Sequence, residues 1–81
     1  MSIDVAAVVN TSWLATLNLP PGTDAPDYFR AGGTSLTAIT LMERVESELG
    51  IEFPLETLFL TGELSAVAEE CGRRFAASAS A

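Results

Sequence analysis

Asp27-Tyr28-Phe29-Arg30-Ala31-Gly32-Gly33-Thr34-Ser35-Leu36 sits at the centre of an 81-residue chain. Gly32 and Gly33 allow the backbone to turn freely and carry nothing bulky. Ser35 stands where a helix should begin, and an amphipathic run from Leu36 to Leu49 follows it. Serine is a good N-cap, because its oxygen can accept a bond from an otherwise unpaired helical N–H. At a glycine-cleared entrance it is also reachable from outside. A phosphate attached there would gain about 0.3–1 kcal/mol from the positive end of the helix dipole. Ser35 therefore reads as a covalent attachment point that the remaining elements hold up.

The second helix is the clearest element. At about 100° per residue, Ala38, Leu41, Met42, Val45 and Leu49 share one side, with Ile39 at its edge. Thr37, Thr40, Glu43, Arg44 and Ser47 share the other, and Leu36 falls with them. Gly50 ends the helix in the usual left-handed position. Upstream, Ser2 is a plausible cap for a first helix from about Ile3 to Leu17. Val5, Val9, Trp13 and Leu17, with Ala6 beside them, form its apolar stripe, and Trp13 reads as a core anchor. Asn10, Thr11, Ser12 and Thr16 form its outer face.

Asn18 to Thr34 is a long connection, since Pro20-Pro21-Gly22 and Pro26 rule out a continuous helix. Leu19, Tyr28 and Phe29 could pin it to the core, and Asp24 or Asp27 could cap a brief turn. Ile51 to Pro54 is extended, because Pro54 disfavours helix at Phe53. Leu55 to Leu60 is a short helical segment with Leu55, Leu58 and Phe59 facing the core. Thr61-Gly62 breaks it. A last helix runs from Glu63 or Leu64 to Phe75, with Leu64, Val67, Ala68, Cys71 and Phe75 inward and Glu69, Glu70, Arg73 and Arg74 outward. The domain spans 1–75, and 76–81 reads as a flexible tail.

Composition removes several function classes. The net charge is −7, with four arginines and no lysine, so clustered cations for nucleic-acid phosphates are missing. An acidic surface favours encounter with basic patches on other proteins. With no histidine, neither a Ser-His-Asp nor a Cys-His arrangement is possible. Gly32-Gly33-Thr34-Ser35 lacks the lysine of a phosphate-binding loop. No metal-ligand spacing is present. The acidic pairs Glu46/Glu48 and Glu69/Glu70 read as solvated faces, and Cys71 as a small buried hydrophobe. One cysteine, no signal peptide and no membrane-length apolar run make a cytoplasmic protein the default. The chain offers a hydroxyl without a base to activate it, so Ser35 is a substrate of another enzyme rather than a catalyst.

Trp13-Leu14-Ala15-Thr16-Leu17, the Asp27–Leu36 stretch, Leu49-Gly50-Ile51, Pro54 and Leu58-Phe59 together resemble the carrier-protein family over about residues 9 to 70. The peptidyl carriers of nonribosomal peptide synthesis are the nearest match. The resemblance implies an all-α four-helix carrier-protein bundle with a long first loop and a short third helix. It implies that Ser35 receives 4′-phosphopantetheine from coenzyme A through a phosphopantetheinyl transferase, with Gly33, Thr34 and Leu36 around the attachment. The arm's thiol then carries an aminoacyl or acyl group as a thioester. An adenylation enzyme or acyltransferase would load it, and condensation, tailoring or thioesterase enzymes would use it. The implied partner contacts are Phe29, Arg30, Leu36, Thr37, Thr40, Glu43, Leu55 and Leu60, on a monomer that binds neither nucleic acid nor membrane. Two positions depart from the family pattern. Thr34 replaces the aspartate that fatty-acid-type carriers place before the serine, which favours the peptidyl type over an acyl carrier. Gly62-Glu63 replaces the Pro-Thr that often enters the last helix. The chain starts at Met1 and ends soon after the domain, as expected of a free-standing carrier. A competing expectation is an unmodified helical adaptor in which Ser35 is only an N-cap.

Overall fold

A computed structural model describes residues 3–79. Four helices, α1 (Val5–Thr16), α2 (Ser35–Leu49), α3 (Leu55–Thr61) and α4 (Leu64–Ala79), enclose one core. α1 packs against both α2 and α4, and α3 packs against α4. Among the described residues there is no strand, only an isolated antiparallel bridge between Asp27 and Glu63. No helix among them is long and apolar enough to cross a membrane.

The start of α1 differs from expectation. Asp4 is its N-cap, and the Asp4 carboxylate accepts the Ala7 N–H at 3.1 Å. Ser2, the expected cap, lies outside the described residues. The helix stops at Thr16 because Asn18 turns left-handed at φ 62°, a conformation that asparagine tolerates better than most residues. The expected stripe is only part of its buried face. Val9 and Trp13 are fully buried, and Leu14 and Ser12 are buried too, the latter assigned to the outer side. The reason is that neighbours on two sides cover more of the circumference than one stripe.

In α2 the buried residues are Ala38, Leu41, Val45 and Leu49, as the spacing predicts. Gly50 closes it at φ 66°, donating its N–H to the Glu46 carbonyl. Glu46 is not merely solvated: its carboxylate accepts the Phe53 N–H at 2.8 Å, fixing the extended Ile51–Pro54 segment. Phe59 is not a core residue. It is half exposed and stacks on Phe29 at 6.3 Å between ring centroids.

α4 runs past Phe75 to Ala79, so residues 76–79, expected to belong to a frayed tail, are helical. Alanine extends a helix without needing a buried face. Nor does Arg74 simply face out. Its guanidinium reaches the Glu52 carbonyl at 2.9 Å, Glu56 at 2.7 Å and Glu70 at 3.0 Å, tying α4 to α3 and the segment before it. Arg73 adds pairs to Glu69 and Glu70 at 2.8 Å.

Bonds from Arg73 and Arg74 hold the Glu70 carboxyl below its ordinary 4.5. Glu56 is lowered too, first by a bond from its own backbone and then by Arg74. A depressed folded value contributes stability above the unfolded value and loses it as pH falls through the folded one. The unfolding temperature should therefore drop as pH falls below 4.5, and Arg74→Met should flatten part of that drop in a pH series. An unchanged slope in Arg74→Met would show that the cluster contributes nothing to acid sensitivity.

The long connection is held from inside. The Trp13 indole N–H donates to the Ala25 carbonyl at 2.8 Å in the core, and the Tyr28 ring meets Trp13 edge to face at 5.2 Å. The Tyr28 N–H donates to the Gly62 carbonyl at 2.8 Å, and the Leu64 N–H to the Pro26 carbonyl at 2.9 Å. These bonds settle where α4 starts without the usual Pro-Thr pair. Trp13→Phe leaves the buried Ala25 carbonyl unpaired, and a loss of about 2 kcal/mol is expected in urea unfolding. No loss would mean that the loop is held elsewhere.

Candidate functional site

The turn before α2 is built by Asp27. Its carboxylate accepts the Phe29 and Arg30 N–H groups, each at 3.1 Å, so Asp27 rather than Asp24 caps the turn. The Ala31 N–H donates to the Asp27 carbonyl, and the Gly33 N–H to that of Tyr28 at 2.9 Å. The two glycines serve different ends. Gly32 sits at φ 101°, which L side chains avoid, with open space where a Cβ would go. Gly33 is needed for close approach: a Cβ there would lie 2.6 Å from Tyr28 Cζ and nearer still to Cδ2 and Cε2.

The cap of α2 is Thr34, not Ser35. Thr34 Oγ1 accepts the Thr37 N–H at 3.1 Å, and Thr37 Oγ1 accepts the Thr34 N–H at 2.9 Å. This reciprocal pair is a capping box with threonine at its third helical position. A box built on Ser35 would need Ala38 to answer, and alanine has no oxygen with which to do so.

Ser35 is thereby released from structural duty. It is the first residue of α2, exposed, and its hydroxyl makes no hydrogen bond among the described residues. The Ser35 and Leu36 N–H groups also lack acceptors among the described residues. They point along the positive end of a 15-residue helix. An unpaired hydroxyl and open donors fit an attached phosphodiester.

Several apolar groups on the turn, α2 and α3 are exposed. Leu36 is 84% exposed and Leu60 85%, and Phe29, Ile39 and Phe59 are about half exposed. Arg30, Thr40 and Glu43 are exposed as well. Thr37 and Leu55 differ from the other expected contacts. Thr37 is half-buried with its hydroxyl engaged inside the chain, and Leu55 packs against the core. Ile39 and Phe59 are exposed groups that the sequence reading placed elsewhere. Ile39's edge position on the helical wheel was the available signal.

Cys71, the other nucleophile, is fully buried, and burial pushes its thiol up to about 11. Among the described residues no cluster of His, Cys, Asp or Glu could hold a metal ion.

The phosphopantetheine attachment site family matches residues 7–71. The chain belongs to this family. Its members carry 4′-phosphopantetheine covalently, and the carrier domain is not itself catalytic. The chain is 39% identical over 62 residues to surfactin synthase subunit 1 of Bacillus subtilis, covering 76% of this chain and 2% of that protein. It is 34% identical over 56 residues to the phosphinothricin tripeptide synthetase PhsC of Streptomyces viridochromogenes, covering 69% of this chain and 5% of the relative. It is 42% identical over 43 residues to gramicidin S synthase 2 of Brevibacillus brevis, covering 53% of this chain and 1% of the relative. The chain thus spans a few per cent of the curated relatives it matches. No solved structure matches the chain.

Proposed function

We propose that this chain is a peptidyl carrier whose Ser35 accepts 4′-phosphopantetheine. One observation carries the assignment to Ser35. The serine at the helix entrance has a free, exposed hydroxyl because Thr34 and Thr37 already satisfy the cap. In the transfer, Ser35 Oγ bonds to the phosphorus that carries the pantetheine arm. The pyrophosphate P–O bond of coenzyme A breaks, its adenosine bisphosphate half leaves, and the hydroxyl proton passes to a base on the transferase. When attached, the arm supplies a thiol that holds an aminoacyl or peptidyl group as a thioester.

The chain acts here as a substrate rather than a catalyst, in keeping with its lack of histidine and its buried cysteine. Phe29, Leu36, Ile39, Phe59 and Leu60 are exposed apolar groups available to partners, and Arg30, Thr40 and Glu43 are exposed polar ones. The proposed partners are a phosphopantetheinyl transferase, a loading enzyme and the enzymes that draw on the thioester. The test is intact mass after incubation with coenzyme A, magnesium and a promiscuous transferase, followed by proteolysis to locate the adduct. One phosphopantetheine on the peptide holding Ser35 is the expected result. No adduct on folded protein beside a control carrier that loads would favour an unmodified adaptor.

A further inference from the structure

The Tyr28 hydroxyl reaches the capping box that presents Ser35. Tyr28 is fully buried, and its Oη lies in hydrogen-bond contact with Thr37 Oγ1. It lies 3.4 Å from the Thr34 carbonyl, at the edge of bonding range. The Thr37 hydroxyl has one proton and two lone pairs to place. It accepts the Thr34 N–H at 2.9 Å and sits 3.1 Å from the Thr34 carbonyl. All three valences are filled when the tyrosine donates to Thr37 and Thr37 donates to that carbonyl. With phenylalanine at 28, that lone pair loses its short bond and keeps only the long one from Thr34 Oγ1 at 3.3 Å, so the hydroxyl is held less firmly at the cap.

The same residue is fixed from its other sides. Its ring packs on Trp13 and under Gly33, its carbonyl accepts the Gly33 N–H, and its own N–H is bonded to Gly62 at the end of α3. Ser35 is preceded by two residues, Gly33 and Thr34, that contact this ring and the hydroxyl network it joins. We infer that Tyr28 is a positioning residue for modification: through Thr37, its hydroxyl holds the Ser35 entrance in the conformation the transferase binds. The inference rests on Ser35 being the acceptor.

An entrance that must be ordered on binding weakens association rather than the transfer step. Losing one neutral bond should raise the KM for the carrier by about fivefold in Tyr28→Phe, with kcat retained. The Thr34 amide, whose partner is Thr37 Oγ1, should exchange with solvent faster by a similar factor. Thr37→Val, which also removes the acceptor of the Thr34 N–H, should raise KM at least as much as Tyr28→Phe, and the double variant should load no more slowly than Thr37→Val alone. Thr37→Ser, which keeps the hydroxyl, should load as the parent does. A uniform loss of stability would move none of these in that pattern.

The experiment is transferase kinetics with coenzyme A on the five proteins, with amide exchange on the unmodified forms. Unchanged KM in Tyr28→Phe, unchanged Thr34 exchange, or independent effects of the two substitutions would overturn the inference. No adduct on the parent protein would instead remove the acceptor assignment, and the positioning role with it. Should Thr37→Val fail to fold, Tyr28→Phe and Thr37→Ser still decide the matter, since both keep the packing of the entrance.

Discussion

Ser35→Ala should abolish phosphopantetheine loading while leaving the fold as stable as before. The two halves of this result have separate causes. Loading is lost because the attacking oxygen is gone, and Thr34, the nearest other hydroxyl, is committed to the cap. Stability is retained, within about 0.5 kcal/mol, because the removed hydroxyl has no hydrogen bond among the described residues and alanine suits the first turn of a helix. The adaptor reading requires the reverse, a stability cost without functional loss. Thr34→Ala supplies the contrast. It removes a true cap and should cost about 1 kcal/mol, yet Ser35 remains loadable. Intact mass and thermal unfolding on both variants check this. An adduct that persists on Ser35→Ala, or a cap-sized destabilisation of that variant, would sink the assignment.

That contrast also shows what was readable beforehand. The buried face of α2 follows from spacing alone, because Ala38, Leu41, Val45 and Leu49 recur with the helical period and face a single core. The proposal of Ser35 as the attachment point followed from its neighbours in sequence. The choice between Thr34 and Ser35 as cap did not, since either fits a one-residue preference. It is decided by whether the residue three further on can answer, and that favours Thr34-Thr37 over Ser35-Ala38. Ser12 and Arg74 were misplaced for another reason. Their surroundings come from elements far along the chain: a second helix covers Ser12's side of α1, and Arg74 meets Glu52 and Glu56 only once α3 has packed. The clamp between Trp13 and Ala25 is likewise invisible in sequence, because a backbone carbonyl carries no residue-specific signal. Phe59 reads as core by spacing, yet a seven-residue helix cannot bury all of its apolar residues against one neighbour.

Gly33→Ala should be the most damaging single-methyl change near the site, and Gly32→Ala a much milder one. The two adjacent glycines look equivalent in sequence. At Gly32 the backbone is left-handed at φ 101° but nothing stands within 4 Å of an added Cβ, so the cost is conformational, about 1–2 kcal/mol. At Gly33 the added carbon would clash with the Tyr28 ring, 2.6 Å from Cζ and nearer still to two other ring carbons. A flexible side chain could yield, but this ring cannot do so cheaply. It is fully buried against Trp13, bonded through its hydroxyl to Thr37, and its backbone is tied to Gly62. Overpacking against so constrained a neighbour should cost about 3 kcal/mol or more, a large share of the stability of a domain this small. The strain falls on the residues before Ser35, so loading should slow even in the fraction that stays folded. Urea unfolding and transferase kinetics on both variants provide the check. Equal stability of the two would mean that the ring moves aside freely, and the steric reason for Gly33 would be lost. If instead Gly33→Ala is the weaker fold and Tyr28→Leu in that background recovers part of the loss, the clash is located at the ring. Glycine at position 33 is then required by what lies beneath it, not by the turn it belongs to.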